Sequence, residues 1–388
     1  DTTPSHDVAA ETSLAAIDPA EHAATIAVLA AGRRRATAAG RQPVIAILGD
    51  NAGTETTDYL VPYGVLTRAL AAPEPSTHTD GSVGAAAVVA LGTAAGRLRL
   101  MPALTVMPQA TLAAFDTAHP AGADYVVVPA LHRPDAPAVQ TWLRAQATKG
   151  AVIIGICSGV KVLAAARLLD GRAATGHWHD REALVSAHPT LRWVADRRYV
   201  ADAGHTPGQP TVVTTTGVSA SVPVSLALVE AIAGPARAAQ TAHALGHPQW
   251  DARHRSGAFR LTAAHVRTAA ANRLAIWRHE TLGVPVADGV DEVALALTAD
   301  PYSRTYRSRA RSVATVTGPV RMRSGLLLVP DVVVPTLEER ATDVVDVLLP
   351  AVRDRDAAGA LGATLDDIRR RYGERTAAFV ALQLEYAR

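Results

Sequence analysis

Short apolar runs alternate with amphipathic stretches through the first 230 residues of the chain. The apolar runs have the length and continuity of strands that are buried on both faces, and they lie at 44–48, 86–91, 125–128, 151–156 and 212–216. Helical patterns fill the intervals, at 57–70, 136–147, 158–169 and 219–233. Strands and helices that alternate at this spacing predict a parallel sheet covered by helices on both faces. Ligands of such sheets bind at the carboxyl ends of the strands.

The two ends of the chain follow other patterns. Residues 1–17 are polar and Ala-rich without a period, which predicts a loose arm, and Asp18-Pro19-Ala20-Glu21 predicts the start of a helix that runs to about residue 35. Beyond Gly234-Pro235 the pattern predicts the following elements: helix within 241–282, a strand at 293–298, a strand in the Arg-rich stretch 304–323, an apolar run at 326–329, and helices at 337–352 and 365–384.

We therefore predict three parts. An N-terminal arm and helix occupy residues 1–41, an α/β domain occupies 42–234, and an additional α+β region, mostly helical, occupies 235–388 as an extension or second domain. The Arg-rich stretch 304–323 is interpreted as a solvated charged face or as the site of an anionic ligand or partner. The Trp and His residues at 250–279 predict buried packing, with a lid or dimer surface as the alternatives.

Composition limits the class of protein. The chain has 388 residues, of which 48% are hydrophobic and 19% charged, so it can bury a full core. It contains no run of 18 apolar residues, and we expect no membrane span in the chain as given. The net charge of +2 is too balanced to argue for nucleic acid. The first residue is Asp1 rather than Met, so both the cytoplasm and export after removal of a leader stay open.

The single cysteine is the most informative residue for chemistry. One thiol forms no internal disulfide and excludes every all-cysteine metal cage. Cys157 lies between a predicted strand and a predicted helix in Gly155-Ile156-Cys157-Ser158-Gly159. This is G-x-C-x-G, the cysteine form of the nucleophile elbow, in which small residues permit a tight and strained turn. The following helix N-terminus predicts a lowered thiol pKa, and an inert buried cysteine is the alternative.

Three segments together resemble a known family. They are the elbow, the stretch Leu168-Leu169-Asp170-Gly171-Arg172-Ala173-Ala174-Thr175-Gly176-His177-Trp178, and the strand end Thr215-Thr216-Gly217. Their order and spacing resemble the DJ-1/PfpI superfamily, also called ThiJ or class I glutamine amidotransferase-like. Residues 42–234 are most similar to the branch that contains isocyanide hydratases and the sensor domains of AraC-type regulators. The resemblance implies a flavodoxin-like sandwich, a parallel sheet between helical layers, and a homodimer.

The resemblance also implies an acidic partner for the thiol. The family's acid stands four residues before a proline in the first strand-to-helix loop, which is Asp58 here, and Glu55 is the second choice. A protonated carboxyl beside a thiolate can donate a hydrogen bond and move a proton, so we expect its pKa to be raised. The alternative is that these are solvated acids at a helix start.

The remaining site residues follow from the same resemblance. Oxyanion donors are expected at the backbone N–H of Ser158, beside Gly159, and at Ala130 or Leu131, although the family usually has a glycine pair in the latter turn. His177 matches a histidine that many members place near the thiol, and a structural histidine is the alternative. Protease-like members carry histidine directly after the cysteine. Ser158 in that place favours the hydratase or sensor branch.

These residues predict a function without an organic cofactor or metal. Cys157 would add to an electrophilic carbon of a small molecule, in hydration, hydrolysis or lyase chemistry. No phosphate-binding or dinucleotide fingerprint is present in the sequence. The alternatives are a non-catalytic, transcription-regulator-like sensor of a small ligand and a redox stress protein in which Cys157 is oxidised. Residues 235–388 lack a convincing pair of helix-turn-helix units, so we expect no nucleic-acid partner.

Overall fold

A seven-stranded, mostly parallel sheet lies at the centre of the computed structural model, which describes residues 18–71, 86–206, 208–337, 344–352 and 356–387. The strands are, in spatial order, Tyr199–Asp202, Val212–Thr215, Val152–Gly155, Tyr125–Val128, Val44–Ile47, Ala87–Gly92 and Ala110–Thr111. Only the pair formed by the first two is antiparallel. The middle strands are buried along their whole length, which explains their uninterrupted apolar runs. The predicted α/β fold with a parallel sheet is confirmed.

Helices cover both faces of this sheet. One layer comprises Pro19–Leu29, Ala31–Ala38, Thr56–Leu70 and Ser221–Ala233, and the other comprises Leu112–Ala118, Pro137–Thr148, Gly159–Ala165 and Arg181–Ala187. Alternate residues of one strand show the division, because Ile45 and Ile47 join the first apolar cluster whereas Val44 and Ala46 join the second. The helix predicted over 18–35 is two helices, which meet at Ala30. The predicted loose arm, 1–17, lies outside the described residues.

The region after residue 234 contains a second parallel sheet as well as helices. The sheet has the strand order Val332–Val333, Ser308–Ala314, Glu280–Pro285 and Val347–Leu348. The helices are Pro235–Leu245, Ala263–Leu274, Glu292–Ser303, Ala360–Tyr372 and Glu374–Leu384. Short 3-10 turns occur at Trp178–Asp180, Val218–Ala220, Ser256–Ala258, Ile276–Arg278 and Ala357–Gly359. The expected additional α+β region is confirmed.

Several expectations for this region are wrong in detail. The strand predicted at 293–298 is part of the helix Glu292–Ser303, which Asp291 caps by accepting hydrogen bonds from Val293 and Ala294. The helical region predicted over 241–282 is interrupted after Leu245 and ends in the strand Glu280–Pro285. In the predicted helix 337–352, residues 338–343 lie outside the described residues and Val347–Leu348 is a strand. Gly373, at φ +87°, divides the helix predicted over 365–384.

Smaller sheets complete the fold. One consists of Val320–Arg321, Leu327–Leu328, Thr105–Met107, Leu98–Met101 and Thr54–Glu55, in this spatial order. In it, Leu327–Leu328 from the C-terminal region pairs antiparallel with Thr105–Met107 from the first domain. Ala173–Ala174 and Arg192–Trp193 form a two-stranded sheet. No helix in the described ranges has the length and apolar character needed to cross a membrane.

The C-terminal region shares a hydrophobic core with the first domain. Helix Thr56–Leu70 is buried on almost all sides, because it packs between Ser221–Ala233 and Glu292–Ser303. Arg68 strengthens this contact through ion pairs with Asp291 at 2.6 Å and Glu292 at 3.0 Å. One continuous apolar cluster therefore includes residues from both parts of the chain, such as Tyr59 and Leu295.

A shared core predicts that the two parts unfold together. Leu295 is fully buried, and we expect Leu295→Ala to lower the free energy of unfolding by about 2–5 kcal/mol. The loss should appear equally in circular dichroism and in the alkylation of Cys157, which reports on the first domain, during urea unfolding. Leu261→Ala, at a position 47% exposed, serves as the control. Two separated transitions, with Cys157 protected after the first, would contradict the shared core.

Candidate functional site

Cys157 lies in a strained turn at the carboxyl end of a central strand. It follows the strand Val152–Gly155, precedes the helix Gly159–Ala165, and adopts φ +53°, a region that residues with a side chain rarely occupy. Its backbone N–H donates to the Thr215 hydroxyl at 3.2 Å. A Cβ on Gly159 would lie 2.1 Å from the carbonyl oxygen of Val128, so only glycine fits there. The strand-to-helix elbow expected from the sequence is present.

The environment of the thiol differs from the expectation. Cys157 is only 6% exposed, and burial raises the pKa of its thiol well above the ordinary value. The negative charges of Asp58 and Glu55 act in the same direction, while Arg304 opposes them. The prediction of a lowered thiol pKa is therefore wrong, because burial and two carboxylates outweigh the end of a seven-residue helix. The thiol is protonated at neutral pH.

Asp58 and Glu55 are buried at the start of helix Thr56–Leu70. Glu55 caps this helix, since its Oε2 accepts the N–H of Asp58 at 2.6 Å. Asp58 accepts the N–H of Ala130 at 3.2 Å and the hydroxyl of Ser221 at 3.3 Å. Neither acid is solvated, because Asp58 is 0% and Glu55 7% exposed.

Burial controls the ionisation of both acids. It raises the pKa of Asp58 to about 7, although the hydrogen bond from Ala130 works against the shift. The pKa of Glu55 is also raised, by burial first and then by the charge of Asp58. The direction agrees with the expectation of a raised carboxyl pKa beside the thiol.

Arg304 is a member of the site that sequence reasoning missed. Its guanidinium contacts Glu55 at 2.6 Å and Asp300 at 2.5 Å, and Asp300 also accepts the Thr57 hydroxyl at 2.9 Å. Burial would lower the pKa of Arg304, but the two carboxylates raise it, so the group is a permanent cation. Arg304 belongs to the Arg-rich stretch that was interpreted as a solvated face or anion site, and nothing in its spacing indicates a contact 249 residues away.

The end of the chain packs beside the elbow. Glu385, just after helix Glu374–Leu384, accepts the backbone N–H of Gly217 through Oε2 and a hydrogen bond from His254 Nε2 at 3.2 Å through Oε1. Its carbonyl oxygen accepts the Ser219 hydroxyl at 2.6 Å. A Cβ on Gly217 would lie 2.6 Å from the Cβ of Glu385. Glu385 also contributes to the raised pKa of the Cys157 thiol. Sequence reasoning did not include Glu385, and it considered His254 only as one of the Trp and His residues at 250–279.

His177 is held by the C-terminal helix. Its Nε2–H donates to the carbonyl oxygen of Gln383 at 3.0 Å, and its Nδ1 accepts the N–H of His179 at 3.3 Å. Burial lowers the pKa of the ring. Its neighbour Trp178 donates to the carbonyl oxygen of Leu382 at 2.9 Å. Both ring nitrogens are thus occupied in a neutral imidazole, which is the arrangement of a structural histidine.

The expected oxyanion donors differ in their surroundings. The Ser158 hydroxyl donates to Asp180, and Ser158 begins the helix Gly159–Ala165. The N–H of Ala130 already donates to Asp58. Leu131 is buried and forms a β-bridge with Thr54. The structure therefore places Ala130 beside the acid at the elbow. The described part of the chain contains no cluster of three or more side chains that could hold a metal.

The comparison with known proteins agrees with this geometry. Residues 44–231 match the DJ-1/PfpI family. This part of the chain is a DJ-1/PfpI domain. The match includes Glu55, Asp58 and Cys157 and excludes Arg304 and Glu385, so the region that follows the DJ-1/PfpI domain contributes charged groups that lie outside the family match.

Relatives of the DJ-1/PfpI domain include regulators. The HTH-type transcriptional regulator CdhR of Pseudomonas aeruginosa is 36% identical over 104 residues, which are 27% of this chain and 29% of the regulator. Drosophila melanogaster DJ-1beta covers 54% of this chain and all of its own length, at 20% identity and a TM-score of 0.43. An AraC family transcriptional regulator from Pseudomonas putida covers 52% of this chain and 97% of its own, at 18% identity and a TM-score of 0.40.

The raised pKa of Asp58 predicts how stability depends on pH. Between the ordinary pKa of about 4 in the unfolded chain and about 7 in the folded chain, the folded state binds more protons, so the free energy of unfolding falls as pH rises through this window. We expect Asp58→Asn to change the free energy of unfolding more favourably at pH 8 than at pH 5, by on the order of 1–3 kcal/mol. Urea unfolding at both pH values measures this difference. Asp170→Asn, at an exposed pair with Arg167, is the control, and equal effects of Asp58→Asn at pH 5 and 8 would contradict the shift.

The close approach at Gly159 predicts a large effect of one methyl group. Because the obstructing atom is a backbone oxygen of a central strand, Gly159→Ala must displace the elbow, and we expect a loss on the order of 2–4 kcal/mol in the free energy of unfolding. Alkylation of native Cys157 should also become faster. Gly257→Ala, where a Cβ meets nothing within 4 Å, should leave both measurements unchanged. Wild-type stability of Gly159→Ala would refute the steric argument.

Proposed function

We propose that this protein is a cofactor-independent cysteine-nucleophile enzyme of the DJ-1/PfpI type that acts on a small electrophilic molecule by hydration, hydrolysis or lyase chemistry. The observation that supports this most is the combination of Cys157 at φ +53° with the buried acid Asp58, whose pKa is about 7. An inert core cysteine requires neither the strained turn nor a buried carboxyl that titrates near neutrality.

The proposed first step conserves charge in the buried site. At neutral pH the Cys157 thiol is protonated and Asp58 is present in both forms. Ionised Asp58 accepts the thiol proton as Sγ forms a bond to the electrophilic carbon, and protonated Asp58 then gives that proton to the heteroatom of the substrate. The thiol–carboxylate pair starts with one negative charge. The adduct carries this charge while Asp58 is protonated, and the return of the proton leaves a neutral adduct and an ionised Asp58, so no isolated thiolate has to form in an apolar surrounding.

The neighbouring contacts favour Asp58 over Glu55 for this role. Both oxygens of Glu55 are already engaged, Oε1 with Arg304 at 2.6 Å and Oε2 with the N–H of Asp58 at 2.6 Å. The Asp58 carboxyl accepts hydrogen bonds from two neutral groups, the N–H of Ala130 and the hydroxyl of Ser221. These two hydrogen bonds fix its orientation without preventing protonation. Glu55 and Arg304 are therefore positioning residues in this proposal.

A ligand sensor is the second candidate, supported by the 36% identity with part of the regulator CdhR. In that case the site binds a small molecule and Cys157 contributes contact rather than chemistry. The redox alternative has less support. Oxidation requires a thiolate, whereas burial and two carboxylates raise the pKa of this thiol.

Covalent trapping and turnover test the enzyme proposal. We would incubate the protein with isonitriles, aldehydes and activated esters and measure both product formation and the intact mass of the protein. We expect an adduct on Cys157, no turnover by Cys157→Ala, and a loss on the order of 10²–10⁴ in turnover by Asp58→Asn. Asp58→Asn should nevertheless react faster with iodoacetamide, since it removes the carboxylate that raises the thiol pKa most.

Two outcomes would change the assignment. Undiminished turnover by Cys157→Ala would remove the nucleophile and with it the proposal. Saturable binding of a compound to wild type and Cys157→Ala alike, with no turnover of any compound, would favour the sensor. Asp170→Asn is the matched control, and its turnover should equal that of wild type.

A further inference from the structure

The surface of the C-terminal region carries a row of exposed apolar side chains. Helix Ala263–Leu274 buries only Asn272. Val266 is 52%, Leu274 73%, Ile276 70% and Trp277 79% exposed. Val266, Ala270 and Leu274 share one face of the helix, because they are four residues apart. We call Val266, Ala270, Leu274, Ile276 and Trp277 the apolar ridge. The expected burial of the tryptophans at 250–279 is thus wrong for Trp277.

The segment that carries the apolar ridge contains positively charged but no negatively charged side chains. Residues 252–279 contain no Asp or Glu and six arginines, which are Arg253, Arg255, Arg260, Arg267, Arg273 and Arg278. Within the ranges that the structure describes, no carboxylate forms an ion pair with Arg267, Arg273 or Arg278. This face is therefore cationic and apolar at once, in a chain whose net charge is only +2.

A cleft of about 480 Å³ adjoins the apolar ridge. Its walls include Arg273, Arg307, Arg309, His279 and Tyr306. The cleft and the ridge are continuous, since Arg273 precedes Leu274 and the Arg307 side chain donates to the carbonyl oxygen of Arg278 at 3.3 Å.

The cleft keeps an excess of positive charge. The carboxylate in its wall, Glu280, accepts a hydrogen bond from Tyr372 at 2.9 Å. Three arginines therefore face one carboxylate. Arg307 also lies over the ring of Tyr372, with 5.3 Å between its guanidinium carbon and the ring centroid, which holds its side chain against the wall of the cleft.

We propose that this face binds the surface of an anionic phospholipid bilayer. Lipid phosphates would occupy the arginine-lined cleft, and the apolar ridge would enter the boundary between headgroups and acyl chains. Tryptophan and aliphatic residues flanked by arginine are the composition of segments that lie in this boundary, because the ring and methyl groups leave water while the guanidinium groups remain at the phosphates. The inference is independent of the reaction proposed for Cys157.

Other occupants fit the same observations less well. A two-fold contact between copies of this face would set Arg267, Arg273 and Arg278 against the same arginines without an intervening carboxylate from residues 252–279. A single-stranded nucleic acid would use arginine and Trp277, but it offers nothing apolar to Leu274 and Ile276. A bilayer satisfies the aliphatic, aromatic and cationic groups together.

Vesicle flotation with the full chain tests the proposal. We expect the fraction bound to phosphatidylcholine vesicles with 30% phosphatidylglycerol to exceed that on pure phosphatidylcholine at least five-fold. Binding should fall at least five-fold in Ile276→Ser/Trp277→Ser, and by roughly five-fold per arginine in Arg273→Gln/Arg309→Gln. The matched controls are Val185→Ser, at a position 40% exposed in the helix Arg181–Ala187, and Arg144→Gln, on an exposed turn of helix Pro137–Thr148. Wild-type circular dichroism and Cys157 alkylation would show that each variant is folded.

Five results would overturn the proposal. The first is equal binding to both kinds of vesicle, and the second is unchanged binding by the ridge variant. The third is complete competition by millimolar inorganic phosphate with no effect of the ridge variant, which would identify the cleft as a site for free phosphate. The fourth is preference for an oligonucleotide over vesicles. The fifth is a dimer that dissociates in the ridge variant.

Discussion

The ion pair of Arg304 with Glu55 and Asp300 is the contact on which the candidate site depends. Three buried carboxyls, those of Glu55, Asp58 and Asp300, meet near the end of one parallel strand. Buried carboxylates without a partner would take up protons or disrupt the fold. One guanidinium binds Glu55 and Asp300, while burial raises the pKa of the third acid, Asp58, to about 7. The Asp58 carboxyl itself accepts hydrogen bonds from the neutral groups of Ala130 and Ser221.

The core that the DJ-1/PfpI domain shares with the region that follows it explains how this pairing forms. Arg304 comes directly after the helix Glu292–Ser303, and that helix packs on Thr56–Leu70, which carries Glu55 at its cap and Asp58 in its first turn. The position of the cation is therefore set by helix packing. On the other side, Glu385 and the carbonyl groups of helix Glu374–Leu384 bond to Gly217, His177 and Trp178. The C-terminal region therefore supplies one wall of the site as well as the guanidinium of Arg304.

The sequence predicts those features that depend on neighbouring residues. Continuous apolar runs identify the parallel strands, and G-x-C-x-G identifies the elbow, because both are local consequences of burial and backbone geometry. The predicted strand at 293–298 fails for a related reason. The segment Val293-Ala294-Leu295-Ala296-Leu297 is apolar on all sides since its helix is surrounded by core, and a short run of this kind has no period that separates helix from strand.

Features that require long-range contacts are beyond such reasoning. Arg304 meets Glu55 across 249 residues, and Glu385 meets Gly217 across 168. The spacing of residues along the sequence does not indicate either contact. The predicted direction of the thiol pKa shift is wrong for the same reason. The elbow motif identifies only the nearby helix N-terminus, whereas burial and the positions of Asp58 and Glu55 are set by tertiary contacts. Family resemblance supplied the acid at Asp58 but not Arg304, the cation that binds Glu55 and Asp300.

Charge balance at Cys157 also constrains the kind of molecule that the site can accept. Arg304, the cation that acts on the Cys157 thiol, is already bound to Glu55 and Asp300, and further negative charge raises the energy of a buried site that contains several carboxyls. A substrate anion would add to that charge, whereas a neutral molecule would not. In the mechanism that we propose, a neutral electrophile leaves the total charge of the site unchanged when Sγ attacks and Asp58 takes the proton. That proposal therefore favours small neutral electrophiles over carboxylates or phosphates as substrates.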